Sequence, residues 1–235
     1  LSRKARKNEL SKDEKKQLAD LKNQKASYDK EVELWNKNRS LDGFSKLRKM
    51  YNDAGVQIYA FKPDYLLTKK NSDANIEYAM KAGKLLGASH VTLELPRDTA
   101  HTLKLGKMAE KNDIHVAYHG HEQQNPTWWD TALSQSSNNA MNIDLGHYVA
   151  AGNSAPLQIL KDKHQNILSM HVKDRQNPAN GKNNMPFGKG DTPIIEALQL
   201  MRDEKYTFAA TIEYEYKTRE NSTIIDEIKK SIAYC

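Results

Sequence analysis

The chain has 235 residues, enough for one barrel-sized domain or two small ones, and 38% of them are hydrophobic beneath a very polar surface, with mean hydropathy −0.83. It has no run of about 18 apolar residues and no apolar signal-peptide core, so a membrane span is excluded and a soluble cytoplasmic or periplasmic protein is expected. The formal charge of +6 does not imply nucleic acid: residues 1–50 carry 15 Lys and Arg against 8 Asp and Glu, and the rest of the chain sums to about −1.

Leu1 is not an initiator methionine, which implies a segment ahead of it. Cys235 is the single cysteine, so no internal disulfide framework exists. Ser11-Lys-Asp-Glu14 is a capping box, and Leu18, Leu21, Tyr28, Val32 and Trp35 follow at the steps of one helical stripe. This basic amphipathic helix reads as a packing element, against the body of the protein or against a second copy in a homo-oligomer. Glu31–Trp35 also fits a short strand. Asp42 is the expected cap of a second helix, through Phe44, Leu47 and Met50, ending at Gly55.

A β/α rhythm then sets in. Strands are predicted at Val56–Phe61, His90–Leu95, Ile114–Gly120, Ala140–Gly146, Ile167–Asp174 and Phe208–Tyr216. Helices are predicted at Asp73–Leu86, Thr99–Lys111, near Trp128–Leu133, Pro156–Lys163, Thr192–Glu204 (with Thr192 as N-cap and Pro193 at N1) and Ser222–Ala233. Six βα units argue for a parallel sheet, either closed as a barrel or open and doubly wound. No dinucleotide fingerprint opens any of the helices.

Alternation along each strand separates two faces. Thr92 and Glu94 oppose Val91, Leu93 and Leu95. His115, Ala117, His119 and His121 oppose Val116 and Tyr118, and Asn142 and Asp144 oppose Met141, Ile143 and Leu145. Ser169, His171 and Lys173 oppose Leu168, Met170 and Val172; Thr211, Glu213 and Glu215 oppose Ile212 and Tyr214. Buried parallel strands are usually apolar on both faces. Polar faces carrying carboxylates and imidazoles at the same strand end describe a site at a barrel mouth. Carboxylates brought together with imidazoles suit one divalent ion, Mn²⁺, Mg²⁺, Co²⁺ or Zn²⁺, and would repel one another or take up protons without it. Such an ion can polarise a carbonyl and acidify the neighbouring C–H.

Four motifs, in order, give a resemblance: Asn142-Ile-Asp-Leu-Gly-His147, Met170-His-Val-Lys-Asp174, Phe187-Gly-Lys-Gly-Asp191 and Thr211-Ile-Glu-Tyr-Glu215. Over roughly residues 50–235 the chain resembles the sugar phosphate isomerase/epimerase family of xylose-isomerase-like TIM barrels. The resemblance implies a metal held by Asp144, His171 and Glu213, with His147 and Lys173 as substrate contacts or proton-transfer helpers. Many members of the family carry a glutamate ligand followed by Asn-His on the strand before the aspartate motif. Here that place reads His119-Gly-His121, similar to a Tyr-His-x-His variant within the superfamily. The fourth ligand is Glu94 or one of these histidines; Glu94 is taken, with His119 and His121 at or just behind the metal, and Glu213 or one of these histidines moves the proton.

Lys189, in Gly188-Lys-Gly190 before a helix, Trp128 and Arg175 are the expected substrate contacts. The Gly-Lys-Gly segment is a phosphate or sugar-hydroxyl site or a plain loop; Trp128 is an aromatic wall or helix packing. The expected organisation is a basic helical segment over residues 1–40 and a TIM-type (β/α) barrel over 41–235. A full barrel needs eight strands. Six are evident, or seven with Glu31–Trp35, so one or two units are missing ahead of residue 56 or the basic helix fills the gap. The leading function is a metal-dependent isomerase or epimerase acting on a sugar or related polyol-ketone. The rivals are a lyase or dehydratase on a sugar acid or inositol-type ketone, a nuclease resembling endonuclease IV, and a non-catalytic sugar-binding module. No histidine precedes His90, which leaves the nuclease without its early ligands.

Overall fold

A computed structural model describes residues 10–235. Residues 1–9, part of the basic segment expected over 1–40, lie outside the described residues. The chain divides into two compact units, Leu1–Gly43 and Phe44–Cys235.

In the first unit, helix α1 (Lys12–Asn38) starts at the predicted capping box: Ser11 Oγ accepts from Glu14 N, and the Glu14 carboxylate accepts from Ser11 N. Helix runs unbroken through Glu31–Trp35, so that segment adds no strand, and α1 buries none of its residues. Helix α2 (Asp42–Asp53) already includes Asp42, the predicted cap. Its backbone N–H is instead held by Ser40 Oγ at 3.0 Å.

The second unit is a curled sheet of six strands, all parallel to their neighbours, in the order β1-β2-β3-β4-β5-β8. The strands are β1 (Ala60–Phe61), β2 (His90–Glu94), β3 (His115–His119), β4 (Asn139–Asp144), β5 (Ile167–Val172) and β8 (Ala209–Ile212). Between them run α3 (Asp73–Leu86), α4 (Thr99–Lys111), α5 (Asp130–Gln135), α6 (Leu145–Ala150), α7 (Pro156–Lys163) and α8 (Ile194–Asp203), and α9 (Ile224–Tyr234) follows β8. Strands β6 (Asp174–Arg175) and β7 (Asn184–Met185) form a small antiparallel ribbon after β5 that the sequence pattern did not show.

Strands β2, β3 and β4 follow their predicted alternation; in β5 a register shift against β4 brings Ile167, and not the predicted Leu168, into the core with Met170 and Val172. Val91, Leu93, Val116, Tyr118, Met141, Ile143, Met170 and Val172 form one buried core with Ile76, Met80 and Leu105 of the outer helices. Each such side chain is worth about 1.5–3 kcal/mol on burial. The opposite faces meet inside the curl, where the polar groups satisfy one another. His90 Nε2 is 3.0 Å from Ser169 Oγ, Asn142 Nδ2 donates to Thr92 Oγ1 at 3.1 Å, and the Tyr59 hydroxyl meets Thr211 Oγ1.

Several predicted boundaries move for local reasons. Val56–Phe61 pairs only over its last two residues. The strand predicted to run to Gly146 stops at Asp144, because Asp144 caps a helix there: its Oδ1 accepts from His147 N at 2.7 Å. The last strand ends at Ile212 instead of Tyr216. Thr192 is not the N-cap of α8; its hydroxyl accepts from Arg175 N at 3.0 Å and ties that helix to the ribbon.

Candidate functional site

The C-terminal ends of β2, β3, β4, β5 and β8 deliver Glu94, His119, Asp144, His171 and Glu213 to one mouth, and β3 and β5 run on into His121 and Lys173. At its centre is the Lys173 ammonium, only 3% exposed. It lies 3.2 Å from Asp144 Oδ2, 2.9 Å from Glu213 Oε2 and 2.6 Å from Glu215 Oε2. Three carboxylates against one ammonium leave a surplus of two negative charges when all are ionised. His171 turns Nδ1 toward the same oxygens, 3.0 Å from Glu213 Oε2 and 3.8 Å from Asp144 Oδ2.

This crowding shows in the protonation states. Burial pushes the Asp144 carboxyl well up, with Lys173 opposing and Glu213 reinforcing. Burial would raise Glu213 as well, but hydrogen bonds with His171 and Asp144 outweigh it and hold Glu213 low. The two carboxyls titrate as a coupled pair whose surroundings push them apart, Asp144 up and Glu213 down. Burial works against the Lys173 charge, yet Asp144, Glu215 and Glu213 together raise its pKa. Burial, followed by the neighbouring His171 and Lys62, pushes His119 down to about 3.

A divalent cation fits these donors. His119, Asp144 and His171 offer ligand atoms within 4.8 Å of one another, and the carboxylates around Lys173 leave a negative surplus when all are ionised. The predicted ligand set is nevertheless divided. Close-set donor groups form as His119 with Asp144 and His171, and as Glu94 with His119 and His121. Glu213 stays with the inner group through His171. Glu94 leans outward, its Oε2 3.2 Å from His121 Nδ1 and its Oε1 3.7 Å from Lys62 Nζ.

His147 and Arg175 form the third wall. Arg175 Nη1 lies 2.5 Å from His147 Nδ1, and Nη2 donates to Glu122 Oε1 at 2.8 Å. A guanidinium only donates, so Nδ1 must accept and the neutral ring carries its proton on Nε2. That Nε2 is buried without a partner. Burial and then the charges of Lys173 and Arg175 push His147 down to about 2, so the ring stays neutral. The rings of His147 and His121 are 4.5 Å apart, centroid to centroid. Glu122, which braces Arg175 and also pairs with Lys182, was not among the predicted site residues; its position directly after the histidine loop was the available signal.

The other expected contacts lie differently. The amides of Lys189, Gly190 and Thr192 all donate to the Asp174 carboxylate, at 3.0, 2.8 and 3.2 Å. The Gly-Lys-Gly loop therefore wraps an internal carboxylate and does not present its amides to a phosphate. A Cβ on Gly190 would fall 2.2 Å from Asp174 Oδ1, which explains the glycine. The Lys189 residue is exposed. Trp128 covers Gly120 and meets Trp129 edge to face at 4.9 Å, as a packing residue at the margin of the site. His115 sits at the opposite end of β3, away from the mouth.

No protein-family model matches the sequence, and no curated relative matches it. Solved structures do. A xylose isomerase domain protein from Planctomyces limnophilus superposes with a TM-score of 0.63 at 15% identity, over 83% of this chain and 80% of that one. The fold is that of the xylose-isomerase-like TIM barrels, present here as a partial barrel. A sugar phosphate isomerase/epimerase from Parabacteroides distasonis gives 0.62 at 19% identity, over 81% and 76%. The 3-keto-D-glucoside 4-epimerase of E. coli gives 0.63 at 11% identity, over 83% and 84%. Among the described residues, no helix is long and apolar enough to cross a membrane.

Proposed function

We propose that this chain is a metal-dependent isomerase or epimerase that moves a proton beside the carbonyl of a sugar or related polyol-ketone. The observation that carries the proposal is the Lys173 cluster, where Asp144, Glu213 and Glu215 surround one buried ammonium and, when all are ionised, leave a surplus of two negative charges beside His171. Asp144, His171 and Glu213 would hold the divalent ion, Mn²⁺, Mg²⁺, Co²⁺ or Zn²⁺. When bound, it would supply a Lewis acid that polarises the substrate carbonyl and acidifies the neighbouring C–H.

The chain's own residues do the rest. His147 Nε2–H, fixed as a donor by Arg175, offers a hydrogen bond to a substrate oxygen that gains charge, in the way oxyanion donors act. Glu213 and the His119/His121 pair are the groups placed to take and return the carbon-bound proton. Lys173 holds Glu213 and Glu215 in place and keeps the centre from accumulating uncompensated charge. Isomerases and epimerases of sugars among the proteins with this fold support the reading.

The test is solvent deuterium exchange on a panel of ketohexoses and keto-glucosides with Mn²⁺. Deuterium entering beside the carbonyl without loss of water is the expected result, and loss of water would identify a lyase instead. The reading fails if no substrate exchanges, or if Asp144→Ala with His171→Ala keeps a wild-type complement of tightly bound metal.

A further inference from the structure

We infer that the substrate carries an uncharged, apolar substituent of aryl or short alkyl type, and that this group lodges in a cavity of about 310 Å³ beside the mouth. The lining comes from the turn Asp64–Leu67 and the two residues after it, from the end of β2 with the loop 95–98, and from His101 of α4. Leu93, Leu95 and Pro96 make its walls apolar. Its volume is at the low end of the roughly 300–1,000 Å³ of small-molecule pockets, so it takes one end of a ligand and not a whole one.

Glu94 joins this cavity to the reaction centre. It is the last residue of β2 and lines the cavity, while its Oε2 lies 3.2 Å from His121 Nδ1 in the mouth. A molecule with its carbonyl in the mouth can therefore extend past a single side chain into the cavity. The walls are set before a ligand arrives. Leu93 and His101 are 3% and 5% exposed, and His101 Nε2 donates to the Leu67 carbonyl at 2.8 Å, which fixes the ring.

A phosphate does not suit the same place, for two reasons. The N-terminus of α4 opens here, and a free helix N-terminus attracts an anion. Asp98 already occupies it: its Oδ1 accepts from Ala100 N at 3.1 Å. The charges of the lining also disfavour a phosphate. Lys69 is matched by Asp98 Oδ2 at 3.3 Å, and with Arg97 it makes two cations against the three carboxylates of Asp64, Glu94 and Asp98. Apolar contact is what the cavity has to offer. Burying one ring there favours the ligand that carries it by about ten- to a hundredfold.

The assignment rests on the proposed function in taking the reacting carbons to lie in the mouth. The experiment compares kcat/KM for phenyl and methyl keto-glucosides with Mn²⁺, in wild type and in Thr68→Trp. Thr68 is half-buried in the lining, and the larger side chain would fill the cavity. Wild type is expected to prefer the phenyl compound about ten- to a hundredfold. Thr68→Trp is expected to lose that preference and to turn over the methyl compound as wild type does. Equal kcat/KM for the two compounds in wild type, or a preference that survives in Thr68→Trp, overturns the subsite and leaves the proposed reaction standing. If neither compound is turned over, ligand-observed NMR with benzyl alcohol on the full chain decides. Saturable binding that is lost in Thr68→Trp keeps the cavity as a site while the proposed reaction falls; binding that is absent, or that survives in the variant, overturns the subsite as well. Leu95→Ser, which makes one wall polar, takes the place of Thr68→Trp if that variant fails to fold, with the same outcomes.

Discussion

His90 lies beneath the mouth, fully buried, with Nε2 on Ser169 Oγ at 3.0 Å and Nδ1 on Ser89 Oγ at 2.9 Å. Burial, with a smaller contribution from His115, pushes it from the usual 6.5 down to about 4. Between these values the unfolded chain binds a proton that the folded chain excludes, so stability rises with pH across the window and is lost as pH falls below 6.5. At pH 5 the gap from the unfolded value is about 1.5 units, which at 1.36 kcal/mol per unit costs about 2 kcal/mol. That is a large fraction of the 5–15 kcal/mol typical of a domain. The perturbation is His90→Gln, which keeps a polar atom near Ser169 and removes the titration. Urea unfolding at pH 7 and pH 5 should show wild type losing about 2 kcal/mol more than the variant between the two pH values. Equal losses would mean that His90 is not held neutral by its surroundings.

Three other outcomes follow from the site. Because burial pushes the Asp144 carboxyl up, a cation there competes with a proton; Mn²⁺ affinity by calorimetry should fall up to about tenfold per pH unit on acidification, and vanish in Asp144→Asn. Arg175→Met frees the His147 ring from its donor role, and kcat/KM on a turned-over ketose should fall about 10²–10³-fold, in kcat more than KM, with metal stoichiometry unchanged. Gly190→Ala drives a methyl into a carboxylate that three amides hold in place, and thermal unfolding should register a loss of at least about 1–3 kcal/mol.

Much of this was legible in the sequence because period-2 alternation is a local property. Once Asn142/Asp144 and Ser169/His171 were set on one face, the parallel order of the strands had to bring them together. The β6–β7 ribbon was not legible, since two-residue strands leave no periodic signal and depend on Asp191 and Thr192 docking back onto Arg175. The choice between a phosphate site and a plain loop for Gly-Lys-Gly was open in the sequence for a related reason. Nothing local says that Asp174, some fifteen residues earlier, would take the amides that a phosphate might have used. The partner of Glu94 was also beyond reach: the face was known, but alternation along a strand does not say whether the side chain leans inward to Asp144 or outward to His121 and Lys62.

The polar contacts inside the curl also act mechanically. In a closed barrel the hydrogen-bond ladder itself fixes the curvature. Here the sheet has two free edges, and Tyr59 and Thr211 meet across them while Asn142–Thr92 and His90–Ser169 tie strands that are not neighbours in the sheet. These side chains work as struts, holding the bend that the missing ladder would have enforced. The distance from Glu94 to Glu213 is thus set from below the mouth, and removing one hydroxyl deep in the interior would relax the curl and widen the grip on whatever the mouth holds.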